Sequence, residues 1–135
     1  MHRAAGAHIA RAFLALIVLD AFTAPAGAEP LMVFGYGGVL GEWELAATVT
    51  AKTSPRSREL HGTVTMTHVG FCTQDGPEQR KGDIRIEMVS SGSRLTATLL
   101  LDGAECSFAA RLSDAYKGTM SCPGRPAMPL TLWVR

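Results

Sequence analysis

From Glu42 to the C-terminus, apolar and polar side chains alternate with a period of two, the spacing of an extended chain whose successive side chains point to opposite faces. Trp43, Leu45, Ala47, Val49 and Ala51 share one face, with Glu42, Glu44, Thr48 and Thr50 on the other. Leu60, Gly62, Val64 and Met66 alternate with His61, Thr63, Thr65 and Thr67. The pattern continues through Ile84, Ile86 and Met88, then Leu95, Ala97, Leu99 and Leu101, then Cys106, Phe108, Ala110 and Leu112. It ends in Tyr116, Gly118 and Met120, and in Leu130, Leu132 and Val134. The Thr and Val content suits a half-buried pleated surface.

A one-residue slip in pairing would carry every apolar side chain to the wrong face, so the turns test the pattern. Asp102-Gly103 is a preferred two-residue hairpin turn. Centring on it sets Leu101 opposite Ala104, Leu99 opposite Cys106, Ala97 opposite Phe108 and Leu95 opposite Ala110. Centring on Ser91-Gly92 pairs Met88 with Leu95, Ile86 with Ala97 and Ile84 with Leu99. A three-residue loop at Ser113-Asp114-Ala115 sets Leu112 opposite Tyr116, Ala110 opposite Gly118, Phe108 opposite Met120 and Cys106 opposite Cys122. All three turns join apolar face to apolar face. The resulting layers, Ile86, Ala97, Phe108 and Met120 in one and Met88, Leu95, Ala110 and Gly118 in the next, interleave large and small side chains as a close-packed interior requires.

The chain is therefore expected to be all-β, an antiparallel up-and-down meander of seven to eight strands closing into a small barrel, with a β-sandwich as the alternative. Clean antiparallel closure needs an eighth strand, and Leu31 to Phe34 is the candidate. Gly35, Gly37, Gly38 and Gly41 would then form a flexible corner before Trp43. The segments Thr53 to Glu59, Thr73 to Gly82 and Pro123 to Pro129, rich in Pro, Gly or charge, read as loops.

Residues 1–28 read as a signal peptide. Arg3 and Arg11 precede an apolar run from Ala12 to Leu19, and Ala26-Gly27-Ala28 supplies the small residues of a cleavage site. The apolar run is far short of the ~20 residues of a spanning helix, and Asp20 interrupts it. Residues 29–135 would then form a single exported β domain, periplasmic or secreted, and not membrane-spanning after cleavage. In that segment basic and acidic side chains are equal in number, so no nucleic-acid partner is implied by charge.

An exported chain with three cysteines is expected to carry one disulfide and one unpaired thiol. The register places Cys106 and Cys122 directly opposite, which makes them the first choice and leaves Cys72 over. Pairing of Cys72 with Cys106 or Cys122 stays open. A metal site of three cysteines and His68 is disfavoured, because Cys72 and His68 lie about 13 Å apart along a strand. His61 and His68 should face opposite sides, His61 at the surface and His68 at a rim or in the core. The glycines of Gly35-Tyr36-Gly37-Gly38-Val39-Leu40-Gly41 lack the context of a nucleotide loop. Ser90, Ser91 and Ser93 show no nucleophile-elbow pattern. Glu42 and Glu44 read as a solvated strand edge. Trp133 falls on the outer face with Thr131, opposite Thr119, where it would cover the barrel seam. No catalytic residue and no cofactor is implied.

Gly41-Glu42-Trp43 at the start of the first long strand, followed by a meander, resembles the opening of lipocalin-like barrels of the calycin group. The resemblance implies a tryptophan that plugs one barrel end, with a basic residue near the last strand packed over it; Arg135 is the residue in that position. In outline the chain is also similar to small periplasmic barrel proteins, including bacterial metalloprotease inhibitors. The functional expectation is a non-catalytic exported barrel that binds a protein partner, an inhibitor role included. The alternative is a carrier of a small apolar ligand lined by Trp43, Met66, Ile86, Leu99, Phe108 and Met120, with room left by Ala47, Gly62, Ala97, Ala110 and Gly118.

Overall fold

Alternation of period two becomes eight antiparallel strands in a computed structural model that describes residues 29–70 and 74–135. They are β1 (Leu31–Gly37), β2 (Trp43–Thr53), β3 (Ser57–His68), β4 (Gln79–Val89), β5 (Arg94–Leu101), β6 (Ala104–Leu112), β7 (Tyr116–Ser121) and β8 (Met128–Val134). Each strand pairs with the next, and β8 returns to β1, so the sheet is a closed barrel rather than a sandwich. Closure leaves no long unpaired edge. The β1–β8 seam is extended by reciprocal backbone bonds between Met32 and Arg135, 2.7 and 2.9 Å long.

All three turn registers are those the sequence predicts. Leu99 faces Cys106, Ile86 faces Ala97 and Phe108 faces Met120. The turn residues Asp102 and Gly103 both have positive φ, 47° and 82°, the geometry that matches the twist of a two-residue hairpin. The inward side chains form one continuous core, in which Val33, Leu60, Ile86, Leu99 and Leu132 are wholly inaccessible to solvent.

Several expectations are corrected at the strand ends. Gly35 and Gly37 belong to β1 rather than to a corner; the corner is 38–42, where Gly38 and Gly41 have positive φ. Gly35 faces inward, and a Cβ there would lie 2.1 Å from the Thr131 carbonyl oxygen and 2.6 Å from Leu132 Cδ2, so β1 and β8 close only over a bare backbone. The three longer loops are shorter than their composition suggests, because β2 continues to Thr53, β3 starts at Ser57, β4 starts at Gln79 and β8 starts at Met128. Cross-strand pairing overrides local loop chemistry there. Leu112 is exposed, since it sits at the barrel end, and Ala115 fills the interior in its place. Ala104 is likewise exposed. Thr119 lies opposite Pro129 rather than Trp133, a register that no turn signal in Pro123 to Pro129 specifies.

Candidate functional site

The meander brings the start of β2, the ends of β3 and β7, and the starts of β4 and β8 to one end of the barrel. Trp43, the first residue of β2, lies opposite His68, the last of β3, and their rings meet edge to face at 4.7 Å. Arg80 lies opposite Met66 on β4, so alternation turns it to the inner side, above the core. Its guanidinium carbon stands 4.8 Å from the centre of the Trp43 ring, and its Nη2 is 3.2 Å from Glu78 Oε1. The aromatic face and the carboxylate together hold the cation in place.

Met120 and Met128 face each other across β7 and β8. Gly37 gives Met128 its room, since a Cβ on Gly37 would lie 3.0 Å from Met128 Cε. Glu42 turns its carboxylate into the 38–42 corner, where Oε2 accepts a hydrogen bond from the Leu40 backbone N–H at 2.9 Å. These elements enclose a cleft of about 400 Å³ whose lining includes Trp43, Met66, Arg80, Met120, Arg125 and Met128. Its floor is the filled core. Around it stand exposed apolar side chains: Val39 is 85% and Leu40 90% accessible, and Val69, whose N–H donates to the Glu42 carbonyl at 2.7 Å, is also exposed.

The sequence-predicted lining set divides between two places. Trp43, Met66 and Met120 line the cleft, whereas Ile86, Leu99 and Phe108 lie deeper, at most 2% accessible and packed among other core side chains. The small residues expected to leave interior room do not all do so. A Cβ on Gly62 or Gly118 would lie less than 2 Å from a carbonyl oxygen of the neighbouring strand, so these glycines mark close backbone approach. The residue over Trp43 is Arg80 and not Arg135, whose guanidinium stands 5.1 Å from the Phe34 ring on the outer wall. Trp133 joins that outer cluster at the seam, stacked on Phe34 at 6.0 Å and edge-on to Tyr36 at 6.2 Å.

The opposite end is closed, with Ala115 buried and the Tyr116 hydroxyl donating to the Gly92 carbonyl at 2.6 Å. Loss of hydration raises the Tyr116 phenol above its ordinary value, against the opposing pull of Arg58. A wider depression of about 620 Å³ lies on the outer wall beside His61, Asp83, Arg85 and Glu105. It is open and edged by charges of both signs, several already engaged: Glu59 receives both His61 and Arg85. That is the solvated outer face of β3 to β6, a shallow surface rather than a cleft.

Cys106 and Cys122 form the disulfide, with Cα atoms 4.3 Å apart, and it ties β6 to the loop that borders the cleft. A disulfide is the bond of an oxidising compartment. Cys72, the expected free thiol, and the expected signal peptide lie outside the described residues. Among the described residues no group of three or more His, Cys, Asp or Glu side chains is placed to hold a metal ion. Arg80, Arg125 and Met128 are not among the candidate residues that the sequence pattern singles out. For Arg80 a signal existed, because the inward set Ile84, Ile86 and Met88 extends backwards through Gly82 to Arg80. Comparison with protein-family models, with curated proteins and with solved structures finds no match.

Proposed function

We propose that this protein is an exported, non-catalytic binding domain that works through the Trp43 end of its barrel, where it engages a protein partner. The observation that carries this reading is the pairing of an apolar cleft with a rim of solvent-exposed Val39, Leu40 and Val69, set on a core that is already filled. Exposed apolar side chains grouped around a concavity are the anatomy of a recognition surface. The closed, disulfide-tied barrel supplies a rigid base, so the loops at 38–42 and 122–127 lose little freedom on binding. Export is supported by the leader-like residues 1–28 and by the disulfide.

The test is site-specific photo-crosslinking in intact envelopes, with the reactive residue at Leu40 and, as a control, at Ser91 on the opposite end. A discrete adduct from Leu40, lost on Val39→Asp and absent from Ser91, is the expected result. Equal labelling from both ends would refute the assignment of the surface. A second reading, a small apolar ligand, is favoured by the cleft itself, whose wall contains Trp43, Met66 and Met120. On this reading the ligand occupies the barrel mouth rather than the barrel interior.

A further inference from the structure

We infer that the Trp43 mouth accepts an amphiphile with an anionic head group, its acyl chain on the methionine and tryptophan surface and its head on Arg125. This inference rests on the ligand reading of the cleft. The wall offered to a chain is apolar and adaptable: the buried Met66 and Met120, the half-buried Met128, and Trp43 all line it. Methionine side chains, unbranched and polarisable, re-pack around flexible guests. A cleft of about 400 Å³ lies within the range of roughly 300–1,000 Å³ used for small ligands.

The charges of the cleft give the head group its sign. Three charged side chains line it, Glu42, Arg80 and Arg125. Glu42 is committed to the corner, where its carboxylate accepts from the Leu40 N–H and rests on the bare Cα of Gly38. Arg80 is committed to Glu78 and to the Trp43 ring. Arg125, exposed in the 122–127 loop, makes no side-chain hydrogen bond or ion pair with any described residue. Its guanidinium presents a fork of donors matched to a carboxylate or phosphate. An anion at the cleft's edge therefore meets a guanidinium that no described side chain neutralises. A cationic head would meet that same guanidinium with like charge.

The chain carries its own reporter. Trp43 lines the cleft, and the second tryptophan, Trp133, sits on the outer seam, so a Trp133→Phe background leaves fluorescence from Trp43 alone. In that background, decanoate, decyl phosphate and decyltrimethylammonium are titrated below their micellar concentrations and 1-decanol below its solubility limit. Decanoate or decyl phosphate is expected to bind saturably and at least about tenfold more tightly than 1-decanol, the scale of one charge-assisted contact. Comparison of the two anions distinguishes carboxylate from phosphate heads. Arg125→Gln and Arg125→Glu should weaken decanoate binding by about tenfold and so remove its advantage over 1-decanol, with far-UV circular dichroism confirming the fold. Equal binding of the anion and 1-decanol, or anion binding unchanged in both Arg125 variants, overturns the head-group inference and leaves the apolar cleft standing. Binding of none of the four overturns the ligand reading as well.

Discussion

Opening the Cys106–Cys122 bond should cost the barrel about 3 kcal/mol. The two residues are 16 apart in sequence, and the chain-entropy relation for a loop of that size gives ~3 kcal/mol at 25 °C, arising from restriction of the unfolded chain. With an unfolding entropy of roughly 2.1 cal/mol/K per residue, a domain comprising residues 29–135 should lose on the order of 13 °C in Tm. The assay is thermal unfolding followed by far-UV circular dichroism in a Cys72→Ser background, which removes the third thiol and with it disulfide exchange. Oxidised protein, protein reduced with a phosphine, and the Cys106→Ala/Cys122→Ala variant are compared. The β6–β7 register continues from Ser107 and Ser121 independently of the sulfurs, so the reduced barrel should still fold. A loss of under about 3 °C would rule out this entropic origin, because the unfolded chain would then already hold the β6–β7 hairpin. Complete unfolding on reduction would refute it from the other side.

Gly82→Ala should destabilise the barrel by at least about 1–3 kcal/mol, read from urea unfolding, since its Cβ would lie 1.5 Å from the Leu100 carbonyl oxygen and one of two paired strands must move. Tyr116→Phe should cost about 1 kcal/mol through loss of the bond to the Gly92 carbonyl. The raised Tyr116 pKa favours the neutral phenol in the fold, so its contribution is complete below the ordinary value of 10.0 and is lost as pH climbs through the higher folded value. Wild-type stability should fall over that alkaline range, and Tyr116→Phe should flatten the fall in a pH series of urea midpoints. Asp114 is held down to about 2 by hydrogen bonds from Lys117 and Ser113, so its carboxylate favours the fold above 3.8 and that preference disappears as pH falls through about 2. NMR titration should give that low midpoint in the wild type and a return toward 3.8 in Lys117→Ala.

The barrel was legible because each of its sequence signals was checked by another. Asp102-Gly103, Ser91-Gly92 and Ser113-Asp114-Ala115 each set a register, and every register kept Leu99, Ala97, Phe108 and Met120 on one face. The Cys106–Cys122 bond followed from one of those registers. Where no turn residue fixed a pairing, local composition misled. The run from Thr73 to Gly82 reads as loop, yet Gln79 to Gly82 pair with Val64 to Thr67, and this hid Arg80. Gly35 reads as flexibility, yet it serves close contact with β8, where its partner Leu132 lies 97 residues further along the chain. The mouth was half legible. Trp43, Met66 and Met120 follow from alternation, but Arg125 lies in the loop before β8 and Met128 begins that strand, and only tertiary closure determines their path to the cleft.

The most direct test of a filled barrel with a binding mouth is amide chemical-shift mapping of the isotope-labelled protein saturated with decanoate. Perturbations should concentrate at 38–43, Arg80 and 120–128, and leave Ser91, Ser93 and Asp114 at the closed end unmoved. Shifts centred on Ile86, Leu99 and Phe108, or on the closed end, would contradict the account, the first by showing a ligand inside the barrel and the second by placing the site at the wrong end.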